Sequence, residues 1–374
     1  MNMNPTKKRI VLLLGILGLL PTAWGWGSRG HTLIGEIAAE RLKGTPTAER
    51  VNELLTGLDL GIASRLPDDI KSWDPGPHGS YPDTDADLAR LDRPENQAVR
   101  DALRAFHEAN LAYPPTGGER LHHQFHYTDV PVARVESYRS GKVGRSSTDI
   151  VHMLAFCIKV LKGEESEHNQ FMITKPVALI LIAHFVGDIH QPLHVGAEYF
   201  TADGRKADPD LHPDVPYFAD AGGNTLLVHN IDGILSPPEH ERRLHVIWDE
   251  DLVTLMVQNV ARHLGPAGQD EGAIVHYLIR HVPDNWQAPA ALPVESWPEA
   301  WADESQALSY AAHERLRFSQ ITIRPTRYGG EEAFGVATER APHDYVPWAC
   351  NVVQMQISRA GLRLAALLQA SLAP

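Results

Sequence analysis

The sequence predicts a mainly α-helical protein built as a single large domain. Apolar residues recur at helical spacing in several long segments, and the alternation typical of strands is scarce. The chain has 374 residues, of which 43% are hydrophobic, so it can bury a large core. We therefore expect one helical domain over residues 26–374, preceded by a short segment that is removed.

The first 25 residues have the pattern of a secretory signal peptide. Three cations at positions 7–9 precede an apolar run at 10–20, and small residues follow up to Gly25. The run is much shorter than the roughly 20 residues that span a membrane, so an N-terminal anchor is the less favoured alternative. We expect cleavage after Gly25, a mature chain that begins at Trp26, and a secreted or periplasmic protein without stable membrane association.

Two amphipathic helices support the helical class. The apolar residues from Ile34 to Leu42 follow a helical period that ends before Gly44. Those from Ile150 to Leu161 do the same, with serines at 146–147 as the capping signal and Gly163 as the end.

Two further segments predict a central helix and a closing helix. Residues 175–189 are apolar almost all round, which is typical of a buried helix, and residues 352–372 read as a long C-terminal helix. Residues 75–118 and 199–223 are rich in proline, glycine or aspartate, and we expect loops or insertions there.

The acidic sequence shows no evident basic nucleic-acid-binding face. Loss of the three leader cations would lower the formal net charge from −13 to −16. Any affinity for phosphate must then be local, and bound divalent cations are its natural source. Cys157 and Cys350 are the two cysteines of the chain, so one disulfide is possible.

A motif at the end of the predicted central helix holds potential metal ligands. His184 and Asp188 are four residues apart and so lie on one helical face. A carboxylate buried among apolar residues is costly unless it is paired or binds a metal. Pro192 must end or bend the helix, and His194 then leaves it in another direction. This N/O donor set suits zinc better than calcium; the alternative is a set of hydrogen-bonded core groups.

A second pair has the same spacing on an apolar background. His245 and Asp249 are again four residues apart, with Val246, Ile247 and Trp248 between them. Two such pairs are hard to attribute to chance, and this favours metal binding over core hydrogen bonding.

These motifs together resemble the S1/P1 nuclease family, which is related in fold to bacterial zinc phospholipase C. The strongest matches are residues 26–31, 184–194, 222–224 and 244–249, and weaker ones are 68–71, 125–127 and 361–365. The resemblance implies a mainly α, single-domain, helical phospholipase C/P1 nuclease-like fold.

The resemblance further implies three zinc ions with nine protein ligands and one shared carboxylate. One ion takes Asp68, His126, His184 and Asp188; its neighbour takes Trp26, His31 and Asp188; the third takes His194, His245 and Asp249. Trp26 would bind through its free α-amine and carbonyl oxygen, since a side-chain indole cannot bind zinc. The alternative is an aromatic plug, in which the Trp26 ring only fills space in the core. His190 is expected to lie behind the metal ligands and to orient one of them. His122 and His123, which are close to His126 in the sequence, are the alternatives to His126 as the ligand.

The same resemblance suggests the residues that act on the substrate. Lys71 would face the phosphate, although a solvated lysine is equally consistent with composition. Asn224 is a similar candidate, and Asp68 could also orient the nucleophile. Tyr127 would stack on a base, unless it is ordinary core, and Asp129 could accept from a base edge.

The implied function is hydrolysis of single-stranded DNA and RNA, and of 3′-nucleotides, to 5′-phosphate products. Paired zinc ions supply a hydroxide near neutral pH, and the third stabilises the departing oxygen. The alternatives are a zinc phospholipase C, another phosphomonoesterase, or a secreted zinc protein without activity. We expect a monomer. The stretch between Asp68 and His126 is longer than is usual for the family, so the shape of the pocket does not follow from the resemblance.

Overall fold

The computed structural model describes residues 26–75, 88–114, 119–229, 231, 241–326, 330–337 and 341–372. The predicted signal peptide, residues 1–25, lies outside the described residues. The described chain is mainly α-helical, as the sequence predicted.

Helices supply most of the architecture. Their bounds are α1 Gly27–Leu42, α2 Pro46–Leu54, α3 Leu60–Ala63, α4 Leu66–Asp69, α5 Gln97–Ala109, α6 Leu121–Gln124, α7 Ile150–Lys162, α8 Lys175–Asp188, α9 Leu244–Val246, α10 Leu252–Leu264, α11 Glu271–Arg280, α12 Trp297–Glu314 and α13 Tyr345–Ser371. Short 3-10 turns include Ile70–Trp73 and Pro192–His194, and a π-helical turn spans Ile247–Asp251.

The strands are short and form three small sheets. They are β1 Val130–Pro131, β2 Gly196–Ala197, β3 Tyr199–Thr201, β4 Lys206–Ala207, β5 Tyr217–Ala219, β6 Leu226–Val228, β7 Arg242–Arg243, β8 Phe318–Pro325 and β9 Glu331–Ala337. Strands β1 and β2 pair in parallel, β3 lies between β4 and β5, and the third sheet has the order β7-β6-β9-β8.

Helix α8 is the centre of the core, as its composition predicted. Every residue from Val177 to Asp188 is buried, because α1, α7 and α13 pack around it. The helix ends at Asp188, and Pro192 begins a separate 3-10 turn, so the chain changes direction where the sequence indicated.

Helices α1 and α13 pack closely enough to require a glycine. A Cβ on Gly361 would lie 2.5 Å from the Cβ of Ile37. The closing helix α13 begins at Tyr345, seven residues before the start predicted from its apolar period. These seven residues include Pro347, which a helix tolerates in its first turn.

The N-terminal cap of α7 differs from the prediction. Asp149 is the capping residue, and its Oδ1 accepts a hydrogen bond from the backbone N–H of His152 at 3.1 Å. The serines at 146–147 precede it by three and two residues and do not cap the helix. Gly163 ends the helix in a left-handed conformation, with φ of 77°, as expected.

Both segments predicted as loops contain regular structure. Residues 75–118 include α5, whose buried face is Val99, Leu103 and Phe106, a period that the surrounding prolines obscured. Residues 199–223 contain the β3, β4 and β5 sheet, whose strands are too short to show alternation.

Two negative findings apply to the described residues. None of their helices is both long and apolar enough to cross a membrane. Cys157 in α7 and Cys350 in α13 are both buried free thiols, so the possible disulfide is not formed.

Candidate metal centre

The eight residues predicted to bind metal through their side chains lie in two adjoining buried groups. Five of them, His31, Asp68, His126, His184 and Asp188, form what we call the Asp188 cluster. The other three, His194, His245 and Asp249, form the His194 cluster. The two clusters approach within 3.8 Å, between His194 Nδ1 and Asp188 Oδ1.

The Asp188 carboxylate is the hub of its cluster. Its Oδ2 lies 3.0 Å from both His126 Nδ1 and His184 Nε2. Its Oδ1 lies 3.2 Å from His31 Nε2. The two oxygens therefore face different imidazoles, as a carboxylate shared between two ions requires.

Helix α8 sets this arrangement through close packing. Gly187 precedes Asp188, and a Cβ there would lie 2.8 Å from the Nδ1 atom of His31. The His31 ring stacks on that of His184, with centroids 3.9 Å apart. A side chain at position 187 would displace His31, so glycine is needed for the contact.

A backbone carbonyl fixes the tautomer of His184. Its Nδ1 donates to the carbonyl oxygen of Ser64 at 2.7 Å, and the Ser64 hydroxyl donates in turn to the carbonyl of His31. In a neutral ring the Nε2 atom is then an acceptor directed at His126 and Asp188.

Backbone carbonyls orient both histidines of the His194 cluster in the same way. His194 Nδ1 donates to the carbonyl of His126 at 2.8 Å, and His245 Nδ1 donates to that of Gly222 at 2.7 Å. The Nε2 atoms of the two rings face each other at 3.1 Å. Asp249 Oδ2 lies 3.2 Å from the Nε2 atom of His245. Burial and the neighbouring His194 lower the pKa of His245 to about 3, so this ring is neutral.

The residues present fit zinc ions. Among the described residues, His31 Nε2, Asp188 Oδ1 and Asp249 Oδ2 are buried without a hydrogen-bond partner. Buried polar atoms of this kind are rare in folded proteins and call for a missing partner. Imidazole nitrogens with carboxylate oxygens are a donor set that zinc prefers.

Trp26 is positioned beside the hub by its side chain. The indole is fully buried, and its N–H donates to the carbonyl of Gly187 at 2.8 Å. The ring thus fills a core position, as the plug interpretation proposed, and it also holds the first residue of the predicted mature chain next to Asp188. Binding through the α-amine stays a prediction.

The Lys71 side chain is buried in an ion pair and is not solvated. Its Nζ donates to Asp68 Oδ1 at 2.7 Å, and both side chains are less than 8% exposed. Burial opposes ionisation of Asp68, but Lys71 and the imidazoles of His184 and His126 hold its pKa below the usual range. The alternative of a solvated lysine is therefore wrong.

Asn224 lies in the turn that positions His245. Its Nδ2 donates to the carbonyl of Ala221 at 3.0 Å, while its Oδ1 is buried without a partner among the described residues. In the same turn Gly222 has φ of 58°, and its carbonyl accepts from His245.

Tyr127 and Asp129 follow His126 in the sequence, and both are only partly buried. Stacking on a base and an ordinary packing role both stay predictions for Tyr127. Burial together with nearby Asp220 and Glu332 raises the pKa of Asp129 to about 8. A carboxyl that is protonated at neutral pH can donate a hydrogen bond as well as accept one.

Three histidines of the sequence motifs have other partners. His190 donates from Nδ1 to the carbonyl of Val186 and accepts from Arg363, so the expected role in orienting a ligand is wrong. His122 and His123 both contact Asp74, which removes the ambiguity in register in favour of His126.

A family comparison covers nearly the whole described chain. The S1/P1 Nuclease family model matches residues 26–373. The chain belongs to the S1/P1 nuclease family. This confirms the family and the fold class that the motifs indicated.

Several plant proteins are similar to this S1/P1 nuclease family member. The chain is 26% identical to Endonuclease 2 of Arabidopsis thaliana over 65% of this chain and 61% of that protein. It is 26% identical to Endonuclease 1 of the same plant over 71% of this chain and 67% of that protein. The chain thus spans about three fifths of the length of Endonuclease 2.

Sequence reasoning missed the groups that orient the ligands in this family member. The carbonyl of Ser64 gave no signal, because a backbone acceptor can belong to any residue. Gln191 lies inside the recognised motif and donates to Asp249 Oδ1 at 2.7 Å, so it could have been found. Gly222 was part of a recognised motif, but its carbonyl was not considered.

Proposed function

We propose that the chain is a secreted zinc-dependent phosphodiesterase that hydrolyses single-stranded DNA and RNA, and 3′-nucleotides, to 5′-phosphates. The observation that carries this proposal is the pair of inward-facing Nε2 atoms of His194 and His245 beside the two-sided Asp188 carboxylate. The clusters adjoin, so several cations could act on one phosphate ester.

Three zinc ions would be held by the nine residues that the family resemblance assigns. Bound zinc supplies a water of lowered pKa, near 7, and polarises phosphate oxygens. Structural zinc sites are closed by four protein ligands. The His194 cluster supplies three, so its composition favours a catalytic ion over one that only holds the fold.

The protein's own groups would prepare the site for the phosphate. Ser64 and Gly222 hold imidazole rings in one tautomer, so their orientation does not depend on the substrate. Asp68, kept ionised by Lys71, can orient the attacking water as a hydrogen-bond acceptor. Lys71 places a buried positive charge at this edge of the site.

Selectivity for single strands would come from the partly buried Tyr127. A ring of this kind stacks on an unpaired base, worth roughly 1–3 kcal/mol, whereas a duplex hides its base faces. Asp129 lies two residues further on and, with its pKa raised to about 8 by burial and nearby acids, can donate to a base edge. The chain has a formal net charge of −13, so an extended surface that binds many phosphates of the backbone is not expected. Contacts to one phosphate and its neighbouring base are favoured instead.

Secretion and metal loading would be coupled at Trp26. The family match begins at this residue, where we place the cleavage of the signal peptide. Cleavage would create an α-amine with a pKa near 8, which can lose its proton to a metal.

A substrate panel tests the proposal. Mature protein with zinc is incubated with single- and double-stranded DNA, RNA, 3′-AMP and phosphatidylcholine, and the products are separated by mass. We expect cleavage of the single strands and of 3′-AMP, with 5′-phosphate ends on the nucleic-acid products. Activity on phosphatidylcholine alone would assign a phospholipase C, and no activity on any ester would support a non-enzymatic zinc protein.

A further inference from the structure

A second group of convergent imidazoles lies outside the predicted catalytic residues. His107 Nε2 and His122 Nε2 lie 3.0 and 2.9 Å from Asp74 Oδ1, and His123 Nε2 lies 3.0 Å from Asp74 Oδ2. We call these four residues the Asp74 cluster. The three imidazoles are buried, and the Asp74 side chain is 20% exposed.

The imidazoles of the Asp74 cluster are packed as closely as those of the predicted catalytic centre. The ring centroid of His122 lies 4.4 Å from that of His123 and 4.9 Å from that of His107. In the catalytic centre the rings of His126 and His184 are 4.7 Å apart. Buried imidazoles that converge on one carboxylate are also a donor set that zinc prefers.

The spacing of the ligand atoms also suits a small metal ion. A tetrahedral zinc with bonds of about 2.0 Å holds its ligand atoms about 3.3 Å apart. The nitrogen–oxygen distances around Asp74 are 2.9 to 3.0 Å. The ligand atoms of Asp74, His122 and His123 all lie within 4.8 Å of one another. His107 lies outside that group and would have to move inward to complete the site.

The cluster joins three elements that are distant in sequence. Asp74 directly follows the 3-10 turn Ile70–Trp73, His107 lies in the last turn of α5, and His122 and His123 lie on α6. Helix α5 belongs to the long stretch between Asp68 and His126. A bond from His107 to the other two elements would fix this stretch at the edge of the catalytic centre.

We propose that the Asp74 cluster binds one zinc ion through its three imidazole Nε2 atoms and the Asp74 carboxylate. Four protein ligands make a closed site, so this ion would hold the fold and take no part in hydrolysis. On binding, each neutral imidazole directs its Nε2 lone pair at the metal and keeps its proton on Nδ1. The mature protein would then hold four zincs, three catalytic and one structural.

Neighbouring charges complete the site without supplying ligands. Arg120 Nε lies 3.2 Å from Asp74 Oδ2, where it can hold the carboxylate oxygen that does not bind the metal. Glu119 Oε2 lies 3.9 Å from His123 Nδ1, on the side that would carry the ring proton. Such outer partners orient metal ligands and raise their basicity.

The competing arrangement is a metal-free hub in which three Nε2–H groups and Arg120 all donate to Asp74. Glutamine distinguishes the two, because its amide N–H can replace an Nε2–H donor but is a poor zinc ligand. The test pair is therefore His107→Gln and the double variant His107→Gln/His122→Gln. His276→Gln, at an exposed histidine of α11, is the matched control.

Zinc per chain is counted by native mass spectrometry on mature protein that has been equilibrated with zinc and desalted. We expect about four zincs in the wild type and the control, and about three in the double variant, with an unchanged circular dichroism spectrum. Three zincs in the wild type would overturn the proposal without the need for any variant. A folded double variant that still holds four would place the extra ion elsewhere and overturn it equally.

Hydrolysis of single strands, measured in parallel, separates this proposal from the proposed function. Loss of one zinc from the variants with hydrolysis retained at 25 °C supports a structural fourth site. An inactive wild type that still binds a zinc dependent on His107 would contradict the proposed function and leave the Asp74 site standing.

Discussion

The Nε2 atoms of His194 and His245 face each other across 3.1 Å, although both Nδ1 atoms already donate to backbone carbonyls. A neutral imidazole carries one ring proton, so each Nε2 presents a lone pair. Two such lone pairs repel at this distance unless a proton or a metal cation lies between them. The backbone therefore prepares the ligands for an ion before it binds.

Substitution of Gly222 by alanine should weaken the third zinc site. A Cβ there would lie 2.3 Å from the carbonyl oxygen of Leu193, and φ is 58°, so the carbonyl that holds His245 must move. Loss of such an orienting contact lowers metal affinity by about 10–100-fold. Zinc affinity is measured by competition with a chelator. Gly44→Ala is the control, because Gly44 also has positive φ, 74°, but its Cβ would meet nothing within 4 Å; equal losses in both variants would contradict the account.

Substitution of Asp188 by asparagine should abolish hydrolysis and release about two zincs per chain. The carboxylate faces His31 with one oxygen and His126 and His184 with the other, so a neutral amide weakens two ions together. Metal content is measured by elemental analysis, with the exposed Asp284→Asn as control. Loss of a single zinc would show that the carboxylate is not shared.

An extra methionine before Trp26 should remove one zinc and most of the activity. The nitrogen of Trp26 would become an amide without a basic lone pair, while the buried indole would still bond Gly187 and keep the fold. A protease that regenerates Trp26 should restore both zinc and turnover. Full activity of the extended protein, with three catalytic zincs, would rule out the amine ligand.

Stability should depend on the titration of Asp129. Burial and nearby acids raise its pKa from the ordinary value of 3.8 to about 8. Between these values the folded protein binds a proton that the unfolded chain has lost, so stability falls as pH rises towards 8. The Asp129→Asn variant lacks this pH-dependent contribution to the free energy of unfolding. In urea unfolding at constant zinc, the stability of the variant relative to wild type should therefore rise between pH 6 and 9. A difference that stays constant with pH, as expected for the Asp284→Asn control, would contradict the raised pKa.

The sequence predicted the parts of the fold that carry a strong local pattern. Helix α8 was recognised because apolar residues surround it, and its end at Asp188 followed from Pro192. Helix α5 was missed because prolines flank a short amphipathic period, and the start of α13 was placed too late because Pro347 lies in its first turn.

The candidate site was predictable where residue type decides the chemistry, and less so where the backbone does. The spacing of His184, Asp188 and His245 indicated ligands directly. The carbonyls of Ser64 and Gly222, which fix two rings, have no signature in the sequence. His190 shows the converse, since a histidine inside the motif bonds Arg363 and not a ligand.

The central claim is that the Asp188 and His194 clusters hold three zinc ions. The most direct measurement is an anomalous difference map, recorded on both sides of the zinc absorption edge from crystals of the mature protein. We predict three peaks there: two on opposite oxygens of Asp188, and one between the Nε2 atoms of His194 and His245 beside Asp249. No peak at these positions, or a single one, would contradict the account.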